Sequence, residues 1–419
     1  MTFTYNLSYD IIIILRFGGM ELEILIKRKE LSSKLSLASR FIASGRATMP
    51  ITKGVLLTAS DESGAFFIDA SDFKHSCKLK IDKDNLKIKE EGEVVVNGDE
   101  LIKLVNSFKG EELRLKVSSG RLKITQLNND DITEFNMATF VDGPEKFPTM
   151  PLPSDEATKY EVDRDNFLSV LRKVSFAAEK NESIRDNEAG TFSTMMFLTE
   201  DMAYATNKQK FAAIMNPDTV VREFSIPKGA TSYFRDLSDK FIMYVEGDIF
   251  YVQDGDYFFM VKVPITNPPT KQIKQLLNNP EDPVVEYELE KDDISEFIDS
   301  LKQMKILNEY VTLYLKEDSI WLSGVNYEES ASNSLHNSVK AIRLKPETFE
   351  KEILISFKTK YLLQVLRKVS QCRVVFGGGY QDRAPTRFYE GNFQTVIQRM
   401  VAKNEEQVLD RIKDFQDNI

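Results

Sequence analysis

The sequence predicts an α+β protein in which three similar domains follow one another in a single chain. Three segments share the order strand, turn, helix, strand, and they begin at residues 91, 221 and 350. Placing Val96, Ile226 and Ile355 in register gives spacings of 130 and 129 residues. A period of this length exceeds that of solenoid repeats, so each copy is expected to be a whole domain.

A second alignment supports the repeat. FLTEDMAYATN from residue 197 and YLKEDSIWLSG from residue 314 each place an acidic turn between two runs of strand-forming residues, which is typical of a β-hairpin. Proline-rich joints at 147–154 and 267–273 indicate where the first two copies end. The predicted boundaries are 1–19 for an N-terminal appendage, 20–153, 154–280 and 281–403 for the three domains, and 404–419 for a C-terminal tail.

The composition is acidic. The 419 residues include 55 Lys plus Arg and 65 Asp plus Glu, which excludes a uniformly basic nucleic-acid coat but allows a local basic surface. Two widely separated cysteines suit a reducing cytosol. The one strongly apolar run, 11–15, is too short to cross a membrane, so we expect a cytoplasmic protein without membrane contact.

The pentapeptide LRKVS occurs at 171–175 and again at 366–370. On a helix its Leu and Val would face a core while Arg and Lys point the other way. A solvated helix face would explain one such helix by itself. The first helical segment, 27–46, is basic as well, with six Lys or Arg and one Glu. Acidic residues concentrate in the predicted hairpins, so the sequence predicts that helices of all three domains line one positive surface.

An enzyme is the less favoured alternative. His75 and His336 are the only histidines and lie in different predicted domains, and no Cys or His pair has metal-ligand spacing. Neither a Walker loop nor GxSxG is present. We therefore expect no catalytic residue, metal or cofactor, although a carboxylate pair among the 65 acids stays open.

Three stretches carry a family resemblance: GRATMPITKGVLLTASD from residue 45, EGEVVVNGDELIKLV from 91 and YLLQVLRKVSQCRVVF from 361. In their order and spacing they resemble the bacterial DNA polymerase III beta subunit, the sliding clamp of replication, over roughly residues 20–403. The resemblance implies three DNA-clamp domains per chain, with antiparallel sheets outside and helices inside. It also implies a homodimer that closes a head-to-tail ring around double-stranded DNA.

The implied function is to encircle duplex DNA without sequence specificity. Short peptide motifs of the replicative DNA polymerase and the clamp loader would bind a pocket on the ring. The alternative is a non-catalytic interaction scaffold of the same fold that does not encircle DNA. A phage or mobile-element version of the clamp also stays open.

The expected DNA-binding residues come from two sources. The resemblance matches Lys34 and Arg46 to basic family positions that contact DNA. Helix geometry alone adds Arg40, Arg172, Lys173, Arg367 and Lys368.

The resemblance maps the partner-peptide pocket onto residues of the second and third domains. They are Phe192, Thr206, Phe211, Pro268, Ile273, Val396, Gln398 and Met400. Each apolar member could equally be plain core. The stretches TNKQKF at 206–211 and QRMVAK at 398–403 depart from the family pattern, so the partner motif stays open.

For the ring interface, the resemblance implies that Ile306 and Leu307 pack on Ile124 of the other chain. Arg121 and Lys123 would face Glu328 and Glu329 around this apolar centre. Exposed ion pairs of this kind contribute only about 0–1 kcal/mol each, so the apolar centre is expected to dominate.

The tail places Val408, Leu409, Ile412 and Phe415 at roughly helical spacing. This pattern predicts an amphipathic helix. The helix could pack on its own domain, or Ile412 and Phe415 could compete with partners for the pocket.

Overall fold

The structure is a computed structural model of the 419-residue chain. It describes residues 22–43, 45, 49–127, 132–179, 191–263, 269–278, 283–306, 309–325, 338–377, 385–400 and 405–417. The predicted appendage 1–19 lies outside these ranges, as do five predicted site residues: Arg46, Pro268, Leu307, Glu328 and Glu329.

The described chain consists of short helices between antiparallel strands. The helices are α1 Arg28–Ala38, α2 Gly98–Ser107, α3 Arg164–Val174, α4 Thr270–Asn278, α5 Lys291–Lys305, α6 Thr359–Leu366 and α7 Glu405–Asp417. The first strands are β1 Glu23–Lys27, β2 Gly54–Ser60, β3 Ala65–Ser71, β4 His75–Asp82, β5 Leu86–Glu90, β6 Gly92–Asn97, β7 Glu112–Ser118, β8 Arg121–Leu127 and β9 Ile132–Ala138. The middle strands are β10 Thr158–Asp163, β11 Met195–Leu198, β12 Met202–Thr206, β13 Lys210–Met215, β14 Phe224–Pro227, β15 Lys240–Glu246, β16 Ile249–Asp254 and β17 Tyr257–Lys262. The last strands are β18 Pro283–Leu289, β19 Tyr310–Leu315, β20 Ile320–Val325, β21 Val339–Ile342, β22 Thr348–Phe349, β23 Ile353–Lys358, β24 Cys372–Gly377, β25 Thr386–Glu390 and β26 Phe393–Ile397.

The chain divides into two compact units. The first consists of Met1–Val162 with Asp236–Pro264, and the second of Asp163–Arg235 with Ile265–Ile419. The predicted middle domain therefore contributes to both units, and the boundaries of the three predicted domains stay a prediction. The α+β class is confirmed, because helices pack on sheets whose described strand pairs are antiparallel.

The first unit contains two sheets. One has the order β5-β1-β7-β8-β9, and the other has the order β10-β15-β16-β17-β4-β3-β2-β6. Strand β7 shows why such sequences form half-buried strands: in ELRLKVS the apolar residues are buried and the residues between them are not. Helix α1 buries Leu31, Leu35 and Ala38, which lie on one helical face.

The second unit contains a nine-stranded sheet with the order β14-β11-β12-β13-β26-β25-β24-β18-β22 and a four-stranded sheet with the order β21-β20-β19-β23. In the nine-stranded sheet, β13 of the middle repeat pairs with β26 near the end of the chain. This pairing joins the two sequence segments that make up the unit.

Several helices begin with an N-cap, a side chain that accepts a hydrogen bond from a backbone N–H of the first turn. Asn97 accepts from Glu100 N at 3.1 Å before α2, and Asp163 accepts from Asn166 N at 2.9 Å before α3. Helix α5 begins with a capping box between Glu290 and Asp293.

The predicted strand, helix, strand repeat is present, with two differences. The middle copy has a 3₁₀ helix, Lys228–Phe234, where an α-helix was expected. The three helices begin at Gly98, Lys228 and Thr359, which gives spacings of 130 and 131 residues instead of 130 and 129. The equivalent of Val96 is thus two positions after Ile355, on the same face of the strand.

A repeated turn gives independent support for internal duplication. In the first unit the N–H of Phe73 donates to Ser71 Oγ at 3.2 Å and the N–H of His75 donates to Asp72 Oδ1 at 2.7 Å. The second unit repeats this pattern over 206–210, with distances of 3.3 and 2.9 Å. The central residue has a positive φ in both turns, 72° at Phe73 and 74° at Lys208.

No helix of the described residues is long and apolar enough to cross a membrane.

Candidate functional site

The two copies of LRKVS lie close together in the second unit. The first copy forms the end of α3, with Leu171 and Val174 buried as predicted. The second begins at Leu366, the last residue of α6, so its Arg367 and Lys368 follow the helix instead of lying within it. Their N–H groups donate to Leu363 O at 3.2 Å and Val365 O at 2.7 Å, which adds one tight turn to the helix.

The meeting point of the two copies is the carboxylate of Glu390, at the end of β25. One oxygen, Oε1, accepts from the backbone N–H of Ser370 at 2.7 Å and from its hydroxyl at 2.9 Å. The other, Oε2, accepts from Lys173 Nζ. Burial raises the pKa of Glu390, but the hydrogen bonds from Lys173 and Ser370 outweigh it and hold the pKa below its usual value.

These contacts assemble a basic cluster of four residues: Arg172, Lys173, Arg367 and Lys368. The two arginines are exposed and the two lysines are half-buried. Burial lowers the pKa of Lys368, and the positive charges of Lys173 and Arg172 lower it further. Lys368 therefore lies near Arg172 and Lys173, and Arg367 is its neighbour in the chain.

The candidate peptide pocket is built on β12, β13 and β26. Phe211 pairs with Val396 across the β13 and β26 strands, and both side chains are buried. Beyond them, the backbone N–H of Gln398 donates to Gln209 O at 2.8 Å and that of Met400 to Ser356 O at 2.9 Å. These two hydrogen bonds hold the segment after β26 against the turn before β13 and against β23.

Helix α4 lies against β12 through a polar contact. Tyr204 Oη and Thr270 Oγ1 are 2.8 Å apart, and the Tyr204 ring stacks on Phe197 with centroids 5.0 Å apart. Ile273, the predicted pocket residue of α4, is buried. The structure therefore places all described pocket residues in the second unit.

The predicted pocket residues differ in what they can offer a partner. Thr206 is buried and its hydroxyl donates to Lys210 O at 3.0 Å, so it closes the turn before β13. Phe211, Val396 and Ile273 are buried, as core residues would be. Phe192 and Met400 are half-buried and Gln398 is exposed, so these three are the described pocket residues that a partner could reach.

Lys210 is a functional candidate that the sequence did not reveal. It is only 4% exposed, and its Nζ donates to Phe176 O at 2.5 Å and to Gln364 Oε1 at 2.8 Å. The ring centroid of Tyr361 lies 4.8 Å from Nζ. Burial lowers the pKa of the Lys210 ammonium to about 8. The sequence feature that could have indicated it is a lysine at the start of the apolar strand KFAAIM.

Comparison with known proteins identifies the first domain. Residues 22–151 match the family model described as DNA polymerase III beta subunit, N-terminal domain. This match covers 130 of the 419 residues and lies within the first predicted domain. A comparison with curated protein sequences gives no match.

Solved structures of beta clamps share the fold over nearly the whole chain. The DNA polymerase sliding clamp of Bacillus subtilis is 19% identical with a TM-score of 0.75, and the match covers 91% of this chain and 100% of that one. The DNA polymerase III beta subunit of Thermotoga maritima is 19% identical with a TM-score of 0.73 and the same coverage. The Helicobacter pylori beta clamp bound to a DNA ligase peptide is 16% identical with a TM-score of 0.70, covering 90% of this chain and 100% of that one.

In the first predicted domain, the expected DNA-binding residues Lys34 and Arg40 lie beside acidic side chains of the protein itself. Lys34 lies 3.9 Å from Glu30 on the same helix, and the guanidinium of Arg40 pairs with Asp236. Arg46 lies outside the described residues. Lys34 and Arg40 belong to the first unit, whereas the basic cluster belongs to the second.

The predicted dimer residues divide into exposed and buried ones. Ile306, which directly follows α5, is 80% exposed in the single chain, so it is accessible to a second chain. Ile124 is fully buried in its own unit, because it lies on the core face of the sheet beside Leu115 of β7 and Leu122 of β8, which are fully buried as well. The prediction that Ile124 is a surface contact is therefore wrong. Lys123 pairs with Glu134 of β9 at 3.0 Å, and Arg121 is exposed.

The surface next to Ile124 belongs to β9, the last strand of its sheet. β9 pairs with β8 on one side only, and the described residues provide no strand on the other. Ile132 is 74% exposed and Phe135 is 42% exposed. An edge strand with exposed apolar side chains is suited to pairing with another chain.

The C-terminal helix α7 packs on its own domain. Val408 and Ile412 are buried against Trp321 of β20, and Tyr314, Ala341 and Leu354 surround this group. The ring of Phe415 meets Trp321 edge to face with centroids 6.2 Å apart. The amphipathic helix is confirmed, and Ile412 and Phe415 lie against Trp321 in this structure; that they compete with partners for the pocket stays a prediction.

Proposed function

We propose that the protein is a DNA sliding clamp that encircles double-stranded DNA without reading its sequence. The observation that carries the proposal is the basic cluster formed by the two copies of LRKVS. The cluster occurs in a fold that is shared with beta clamps over their full length. Arginine and lysine in such a cluster neutralise backbone phosphates, which carry charge but little sequence information. The function requires no catalytic group or cofactor.

The ring would close by homodimerisation, two chains supplying six clamp domains. We propose that Ile306 of one chain packs near the β9 edge of the other, where Ile132 and Phe135 replace the buried Ile124 as apolar partners. Both surfaces are exposed in the single chain. A head-to-tail pair of such contacts is closed and two-fold symmetric, so assembly stops at the dimer.

Ile306→Glu and Phe135→Glu test this interface. Each should convert the dimer to a monomer in sedimentation velocity, because an unpaired charge buried in a contact costs several kcal/mol. Val220→Glu is the matched control, since Val220 is an exposed apolar residue of the second unit that the interface does not use. A dimer that persists in both test variants rules out this interface.

Partner proteins would bind the accessible part of the pocket at Phe192, Gln398 and Met400. We propose as ligands short extended peptides with apolar ends, carried by a DNA polymerase and a clamp loader. The Helicobacter pylori clamp holds a DNA ligase peptide, which supports a peptide-binding role for this fold. Phe192→Ala should weaken binding of that same peptide in fluorescence anisotropy, because the half-buried ring supplies apolar contact area.

Charge reversal at the cluster tests the DNA contact. In the triple variant Arg172→Glu, Arg367→Glu and Lys368→Glu, binding to duplexes of any sequence should weaken. The slope of log affinity against log salt should become shallower by about 0.9 for each lost phosphate contact.

The control reverses three exposed lysines of the first unit, Lys146, Lys240 and Lys262. It changes the net charge equally and should retain more DNA binding than the triple variant. Equal loss in the two variants would mean that net charge, and not this cluster, governs DNA binding. The non-catalytic scaffold that does not encircle DNA would then be the better description.

A further inference from the structure

Glu390 is bonded to both copies of LRKVS. Its contacts are Lys173 Nζ, Ser370 N at 2.7 Å, Ser370 Oγ at 2.9 Å and the more distant Gln371 N at 3.4 Å. The Lys173 side chain is 30% exposed and that of Glu390 is 22% exposed, so solvent screens this pair less than a surface pair.

The first consequence concerns position. Arg367 and Lys368 lie between the last residue of α6, Leu366, and the anchored Ser370. The backbone is thus held on both sides of the two cations. Because the Glu390 carboxylate accepts from both the backbone N–H and the hydroxyl of Ser370, it restricts the conformation of Ser370.

The second consequence concerns charge. Lys173 is bound to Glu390 and its Nζ lies 4.6 Å from the ring centroid of Phe393. A phosphate would have to compete with both contacts for this ammonium group. Arg172 and Arg367, by contrast, are exposed, and no ion pair joins either to another residue of the described ranges.

We propose that Glu390 is a positioning residue that limits the grip of the basic cluster on DNA. It fixes Arg367 and Lys368 for phosphate contact and withholds Lys173 from it. This inference rests on the proposed DNA-binding function and adds the residue that regulates its strength. A clamp must move along the duplex, and each phosphate contact removed from the cluster weakens electrostatic holding.

Glu390→Gln tests the inference, because it removes the charge but keeps an acceptor for Ser370. One more phosphate contact steepens the slope of log affinity against log salt by about 0.9. The gain in affinity at 0.1 M salt should therefore be about eightfold larger than the gain at 1 M salt. Fluorescence anisotropy with a short linear duplex should therefore show tighter binding and a steeper salt dependence. Glu317→Gln is the matched control: Glu317 is an exposed residue of the β19 to β20 turn, and its loss changes the net charge equally.

Two further variants separate position from charge. Glu390→Ala removes the acceptor as well, so hydrogen exchange at Ser370 N–H should accelerate in this variant and stay slow in Glu390→Gln. The double variant Lys173→Gln with Glu390→Gln removes the pair without leaving a lone charge, so it should keep DNA affinity within about twofold of the parent, whereas Arg367→Gln should weaken it by about eightfold at 0.1 M salt.

The outcomes distinguish the inference from the function beneath it. If the parent binds duplex DNA and Glu390→Gln behaves like Glu317→Gln, the inference is overturned and the function stands. A double variant of Lys173→Gln with Glu390→Gln that loses as much affinity as Arg367→Gln overturns it equally. If the parent fails to bind the duplex at any salt concentration, both fail.

Discussion

Lys210 should make the stability of the second unit rise with pH above neutrality. Its ammonium is buried among Phe176 O, Gln364 and Tyr361, and burial lowers its pKa to about 8 from 10.5. The charged groups that act on it are Glu179, which favours the charged form, and Lys228 and Lys360, which oppose it. Desolvation is the largest of these effects.

The sign follows from which state holds the proton. Above pH 8 the folded protein releases the Lys210 proton, while the unfolded chain keeps it until about pH 10.5. The unfolded state then binds more protons, so the free energy of unfolding increases with pH. The full difference between the two pKa values corresponds to about 3 kcal/mol, and between pH 7.5 and 9.5 the gain should be roughly 2 kcal/mol.

Urea unfolding of the parent and of Lys210→Met, followed by circular dichroism across this pH range, measures the effect. Lys210→Met leaves two acceptors unpaired and so shifts stability at every pH, but it removes the titration. The parent should gain roughly 2 kcal/mol over the variant between pH 7.5 and 9.5. Lys240→Met, at an exposed lysine, should run parallel to the parent. Parallel curves for the parent and Lys210→Met would refute the reasoning.

Two other predictions concern single contacts. Removing residues 405–419 should expose Trp321, the only tryptophan of the chain, and shift its fluorescence to longer wavelength; Ile412→Asp should do the same, and an unchanged spectrum would mean that α7 does not cover the ring. Glu23 is buried and contacts Lys116 and Arg114 at 2.7 Å and Lys89 at 3.2 Å, and the hydrogen bond from Lys116 is the largest cause of its pKa of about 2. Because these cations are partly exposed and screened, Glu23→Gln should cost about 2 kcal/mol in urea unfolding at neutral pH. The difference should vanish as the pH falls from 4.5 toward 2, and a difference that stays constant would contradict the assignment.

Local patterns predicted much of the fold. The apolar spacing of LRKVS placed Leu171 and Val174 on the buried side of α3, and the strand, helix, strand repeat is real. The helix of the middle repeat was predicted as an α-helix but is a 3₁₀ helix. Its sequence, KGATSYF, combines Gly229 with several residues of modest helix propensity, which disfavours an α-helix. A short segment of this kind depends on packing for its conformation.

Contacts that join distant parts of the chain were not predictable. Glu390 is 217 positions from Lys173, and nothing in the sequence marks one glutamate among 65 acids as their link. The sequence around Ile124 predicts a strand but not which of its faces is buried, and only the structure shows that Ile124 lies on the core face beside Leu115. Burial of a strand residue depends on neighbours that a single segment does not contain.

The measurement that tests the central claim most directly is retention on closed and open DNA. The protein is incubated at high concentration with a plasmid circle, and complexes are separated from free protein at a salt concentration that removes electrostatic contacts. A topological clamp should stay on the circle and leave the same plasmid after a single cut, and blocking both ends of the cut DNA should restore retention. Equal retention on the circle and on the cut plasmid with free ends would contradict encirclement.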